Sequence, residues 1–238
     1  MTDQTATLDT SNSRAGEKAA KPPAPSPQIR LSEALRGGWL ELCYQPKVNL
    51  QNKTLAGAEG LARVNHPQHG ILLPASFLRD AEPASLLSLG EFTVLTALRD
   101  WIEFADAGAP LWLSVNLPIS ALIKLPIAAL VRDHRPKSTF WPGLIFEIGE
   151  DQIIRNIPLV REFAAQLALY NIRIAVDRCG FAQSSLPALL DLPHVEFKLD
   201  RSFVIGCAGD PAKQRLCESI IDLAQTRSAG GRGRARKA

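Results

Sequence analysis

The chain has 238 residues, 46% of them hydrophobic and 21% charged, an ordinary globular composition with material for one sizeable core or two small ones. No apolar run approaches the ~20 residues of a membrane helix and the N-terminus lacks a signal-peptide core, so a cytoplasmic protein without membrane association is expected. The formal charge of +3 belongs to the tail. Residues Arg227 to Ala238 carry four Arg, one Lys and no acid, which leaves −2 for the rest and argues against a folded basic face for nucleic acid.

Met1 to about Gln28, with "KPPAPSPQ", has no apolar periodicity and reads as a disordered tail (residues 1–28). A folded unit is expected over residues 29–225. "LELCYQPKV" (Leu40–Val48) and "LAGAEGLARV" (Leu55–Val64) read as consecutive strands joined by the turn "NLQNKT". "PASFLRDAEPASLLSLGEFTVLTALRDWIEFADAG" has helical spacing and predicts one short and one long helix. "LWLSVNL" (Leu111–Leu117) predicts a strand before helical "ISALIKLPIAALVRDH". "LIFEIG" (Leu144–Gly149) predicts a strand before a helix near Ile157–Tyr170. "IRIAVD" (Ile172–Asp177) predicts a strand before helical "SSLPALLDL", and "VEFKLD" (Val195–Asp200) a strand before a helix from about Pro211 to Gln225. This alternation implies an α/β fold with a largely parallel sheet. From Thr226 the chain is Gly- and Arg-rich and reads as a basic tail (residues 226–238). No aromatic residue is interleaved with its arginines, so nucleic-acid binding is not expected. The four cysteines are scattered, which reads as reduced thiols rather than a disulfide framework or zinc site.

Polar residues recur at the strand ends: Glu59, Asn116, Glu147, Asp177, Lys198 and Asp200. In an α/β barrel, the C-terminal strand ends share one face, where active sites are built. Three carboxylates and an amide oxygen there would suit Mg²⁺ or Mn²⁺, and a lysine among them could meet a phosphate or hold a nucleophilic water. Each residue alone is more often a cap or a surface salt bridge; in step, they favour a site. His66 and His69 in "NHPQHG" read as a structural turn, His134 and His194 as helix-end or loop residues. Trp39, Trp101, Trp112 and Trp141 read as packing residues at element edges.

Six segments in order resemble the EAL domains, which bind and hydrolyse the bacterial messenger cyclic di-GMP on a modified TIM barrel. "YQPKV" resembles the family's Y-Q-P-I-V, and "EGLARVNHPQHGILLPASFLRDAE" resembles E-A-L-L-R-W-x-H-P-x-x-G-x-x-P-x-x-F-I-x-x-A-E. "VNLP" lies over V-N-L-S, "FEIGE" over L-E-I-T-E, "DRCGFAQSSL" over D-D-F-G-T-G-Y-S-S-L, and "KLDRSF" over K-I-D-x-x-F. The resemblance implies Glu59, Asn116, Glu147 and Asp177 as ligands of a first metal ion, Mg²⁺ or Mn²⁺ at one site. It implies Lys198 beside the catalytic water, and Gln45, Leu61 and Arg63 as holders of the dinucleotide. Glu150 would steady the loop after the fifth strand, and Asp200 is the aspartate of K-I-D.

Three departures bear on the chemistry. Gly60 replaces the Ala of E-A-L, a change of under about 1 kcal/mol. Arg178 replaces the second aspartate of D-D-F-G, a ligand of the second metal, and offers only donors and a fixed positive charge. At about 4 Å it would repel a divalent cation by about 8 kcal/mol, unscreened, at an effective dielectric of about 20. The strand with E-G-V-E and an eighth strand have no counterpart, so a barrel lacking strands seven and eight, a truncated member of the family, is expected. Together these imply a catalytically inactive EAL protein that regulates signalling or gene expression through a protein partner or a homodimer. The alternative is a cyclic di-GMP receptor that binds without hydrolysis, Arg178 and Asp200 joining the ligand site; a weak phosphodiesterase comes third.

Overall fold

The computed structural model describes residues 27–180, Leu189, Leu192 and residues 195–228; the side chains of Val195 and of residues 223–228 are outside it. Most of both tails, His194 and nearly all of the predicted helix "SSLPALLDL" lie outside the described residues.

The chain opens with α1 (Leu31–Gly37), ended by Gly38 in the left-handed conformation. The long hairpin β1 (Leu40–Asn49) and β2 (Thr54–His66) follows, then the short β3 (Gly70–Leu72) and a 3₁₀ turn at Pro74–Ser76. Helix α2 (Pro83–Asp106) starts with Pro in its first turn, a position where the missing N–H costs nothing. β4 (Leu113–Asn116) leads to α3 (Ile119–Lys124) and α4 (Ile127–His134), the break between them falling at Pro126. β5 (Leu144–Gly149) leads to α5 (Glu150–Ile154) and α6 (Ile157–Ala168), and then come β6 (Ile172–Cys179) and β7 (Val195–Leu199). α7 (Arg201–Val204) and α8 (Pro211–Ser228) close the described chain.

All six predicted strands are present. β3 was not foreseen, because three residues carry no periodicity, and the helix expected near Ile157–Tyr170 is present as α6 but is preceded by a short helix, α5, that was not expected. The sheet runs β1-β2-β4-β5-β6-β7, with β3 paired to β2. β1 and β3 are antiparallel to β2, and every pairing from β2 to β7 is parallel. Among the described residues β1 and β7 each have one strand neighbour, so the sheet does not close.

The main core lies between the sheet and the helices that follow its strands. Leu113, Val115, Leu144, Phe146, Ile148, Ile172 and Ile174 pack there with Val94, Leu98 and Trp101 of α2 and Val160 and Leu167 of α6. The tryptophans do pack, but Trp101 and Trp141 are core residues rather than edge residues: their rings meet edge to face at 5.0 Å, and Trp101 Nε1 donates to Leu111 O at 2.9 Å. Trp112 instead lies under the Arg173 guanidinium, 4.1 Å from its ring centre. A smaller cluster joins Leu31 and Ala34 of α1 to Val64, Leu72 and Phe77. At its rim His66 accepts N–H bonds at Nδ1 from Gln68 and His69, so that histidine pair is a turn, as expected.

Candidate functional site

Side chains alternate along a strand, and on β2 that alternation is the reverse of a surface strand. Ala58, Gly60 and Val64 are buried against the helices, while Glu59, Leu61 and Arg63 point to the other face of the sheet. On β5, Leu144, Phe146 and Ile148 face the helices and Glu147 faces inward with them both buried. In-register parallel pairing then sets the acids side by side: Glu59 pairs with Ser114, Asn116 with Glu147, and Gly149 with Asp177.

Lys198 on β7 stands at their focus. Its Nζ donates to Glu147 Oε2 at 2.6 Å and to Glu59 Oε2 at 2.8 Å, and lies 3.6 Å from Asp177 Oδ1. Asn116 Nδ2 donates to Glu59 Oε1 at 3.2 Å. Five of the predicted residues, Glu59, Asn116, Glu147, Asp177 and Lys198, therefore share one polar cluster.

A sixth member was missed. Lys47 of β1 donates to the other Glu147 oxygen, Oε1, at 2.5 Å. A signal was present: Lys47 comes two residues after Gln45, so the two share a strand face. The Glu147 side chain is fully buried, with both of its oxygens on ammonium groups. Burial by itself would raise its pKa, but the charges of Lys47 and Lys198 outweigh that and hold it below the usual carboxylate range. The same balance operates on Lys198: burial opposes its charge, and Glu147 and Glu59 push its pKa above the usual lysine value.

The remaining predicted residues are more dispersed. Gln45 lies directly across from Glu59 in the β1–β2 ladder and is exposed. Arg63 is opposite Glu41 and donates from Nη1 to Ala62 O at 2.8 Å, and Leu61 is opposite Cys43. Glu150 is buried in the first turn of α5, where its Oε1 accepts from the Gly180 N–H at 3.4 Å and from the Cys179 thiol at 3.7 Å. It thus links α5 to the end of β6. Burial, then the charge of Glu150, pushes the Cys179 thiol up to about 12. Asp200 caps α7, accepting from Ser202 N at 2.8 Å, and that bond keeps its pKa below the usual aspartate value.

Arg178 sits where β6 bulges between Val176 and Cys179, with φ at 55° in the left-handed region unusual for a residue other than glycine. Its Nε is 3.6 Å from Asp177 Oδ2, and its side chain is 62% exposed. Water therefore screens part of its repulsion toward a cation, yet the guanidinium still has no lone pair to offer a metal. Gly149 makes room for it. A Cβ there would lie 3.1 Å from Arg178 Nη2 and 2.9 Å from the Asp151 carboxylate.

The donor set of Glu59, Asn116, Glu147 and Asp177 fits one hard divalent cation in chemistry, and the ammonium at its focus marks the place as one made for positive charge. As the side chains stand, no three carboxylates, imidazoles or thiols among the described residues form a metal-holding group, because Lys198 lies between them.

The profile of a family described as EAL domain matches residues 28–229. Bifunctional diguanylate cyclase/cyclic di-GMP phosphodiesterase MucR of Pseudomonas aeruginosa is 33% identical over 199 residues, covering 82% of this chain and 29% of that protein. Cyclic di-GMP phosphodiesterase RocR of the same organism is 33% identical over 204 residues, covering 82% of this chain and 51% of that protein. The chain thus spans from under a third to about half of the length of these curated relatives. Among solved structures, the PaMucR phosphodiesterase in complex with c-di-GMP superposes with a TM-score of 0.73 at 33% identity, over 82% of this chain and 81% of that one.

Proposed function

The chain belongs to the EAL domain family of cyclic di-GMP signalling, and from that premise we propose that it is a catalytically inactive member, a cytoplasmic regulator that works through a protein partner or a homodimer. The unit that acts is the folded part, about residues 29–225. One observation carries the reading: Arg178 stands beside Asp177, ion-paired to it at 3.6 Å, where the resemblance to the family would place a second aspartate.

Hydrolysis of a phosphodiester by two metal ions needs both held a few ångströms apart, one to activate water and one to stabilise the leaving oxygen. A single ion on Glu59, Asn116, Glu147 and Asp177 would supply Lewis-acid polarisation of a phosphoryl oxygen. The residues of the chain itself do other things. Glu147 and Glu59 hold Lys198, Asn116 holds Glu59, and Arg178 neutralises Asp177. Each of these carboxylates is thus already engaged by a cation of the chain itself.

A receptor that binds cyclic di-GMP without turnover is the second reading. What favours it is the exposure of Arg178, whose guanidinium can take a phosphate bidentately at the rim of the cluster that Gln45 also borders. Its solved relative PaMucR is a c-di-GMP complex. Titration calorimetry with cyclic di-GMP, with and without Mg²⁺, separates these readings. Absence of binding leaves protein contacts, and micromolar binding without turnover makes the chain a receptor. Hydrolysis that Glu59→Ala abolishes would overturn the inactive assignment.

A further inference from the structure

We propose that Lys47 is a built-in counter-ion that lowers the affinity of the acid cluster for divalent cations. The inference rests on the cluster being the ligand site, and it concerns a residue to which neither the strand-end pattern nor the family resemblance gives a role.

Lys47 is placed for this by its strand. In the β1–β2 ladder it faces Gly57, which has no side chain, so nothing from β2 stands between the lysine stem and the inner face of the sheet. The register shifts just after it, between Lys47 and Val48, and the ammonium reaches Glu147 across 100 positions of sequence. Its side chain keeps 22% of its exposure, and that of Glu147 keeps none. The partner is therefore a carboxylate without water, for which an ammonium is the main source of compensation.

The charge balance follows. Glu59, Glu147 and Asp177 bring three negative charges, and Lys47, Lys198 and Arg178 return three positive ones. A cation arriving at Glu147 finds both oxygens engaged, Oε2 by Lys198 and Oε1 by Lys47. Lys198 can yield its place at the focus, but Lys47 approaches the acid through the other oxygen and stays beside it. Its positive charge then opposes the ion at short range, where protein rather than water lies between them. Removing that charge while keeping the stem makes the cluster net negative and should draw the ion in.

The experiment is a titration of the full chain with Mn²⁺ alone near neutral pH, followed by the electron paramagnetic resonance of free Mn²⁺ and by the melting temperature. The unaltered chain is expected to bind Mn²⁺ weakly, in the millimolar range. Lys47→Met and Lys47→Gln should each bind at least about ten-fold more tightly and melt at temperatures that rise with Mn²⁺. Lys47→Arg, which keeps the charge, should return to the weak binding of the unaltered chain. A lysine with only a structural role would change stability in these variants and leave Mn²⁺ affinity where it was, and that result overturns the proposal. Micromolar Mn²⁺ binding by the unaltered chain overturns it too, as does failure of both neutral variants to fold even with Mn²⁺ present. No dinucleotide is added, so the outcome is independent of whether cyclic di-GMP is bound or hydrolysed.

Discussion

Arg178 and Gly60 are both departures from the family's pattern, and the structure gives them different weight. At Gly60 a methyl group would sit 3.2 Å from Tyr44 and Val115, so the space is already taken by neighbours and the change is a local packing matter. Arg178 instead changes the charge and ligand capacity of the cluster, and Gly149 accommodates it. The residue on which the cluster depends most is Glu147. Its pKa is depressed in the fold, so its ionised form stabilises the protein above the ordinary carboxylate value of 4.5, and that contribution is lost as the pH falls below it. Glu147→Gln removes the charge that Lys47 and Lys198 share, leaving Lys198 only Glu59 and Asp177, and should cost about 2–4 kcal/mol at neutral pH. Urea unfolding should show the gap between the two proteins narrowing at acid pH. A gap that is constant from pH 7 to about 3 would mean that the loss comes from packing and not from charge.

Among the elements, β5 has the most to hold. It is buried on both faces, as a central strand of a parallel sheet should be, with Phe146 toward the helices and Glu147 toward the site. Phe146→Ala should destabilise the fold by about 3–5 kcal/mol, measured by urea unfolding, because the ring is fully buried in the main core. A loss below about 1 kcal/mol would mean that β5 is not the packed centre. Elements with a strong period or a Pro were legible from the sequence: α2, α4 and the six longer strands appear where the apolar pattern placed them. β3 was not, because a three-residue strand exists only through its pairing with the end of β2.

For the whole molecule the sheet itself is the leading feature. Among the described residues β1 and β7 each leave one side without a strand, and unpaired backbone groups are a template for association. Pro46 in β1 blunts one of these edges by lacking a donor. Light scattering on a sizing column should find a dimer that grows with concentration in the tens of micromolar; a monomer at every concentration would remove the homodimer from the proposal. The sequence by itself determined the alternating α/β order and the strand-end acids, since each is a matter of residue type at a local spacing; the reading of Arg178 as the replacement of an acid came from the family resemblance. Only the tertiary structure decided that Asp200 caps a helix, that Trp101 and Trp141 meet in the core, and that Lys47 closes on Glu147. The reason is physical: a local period says which face a side chain takes, but the partner it meets there comes from another strand, and strand register is settled by the packing of the whole sheet.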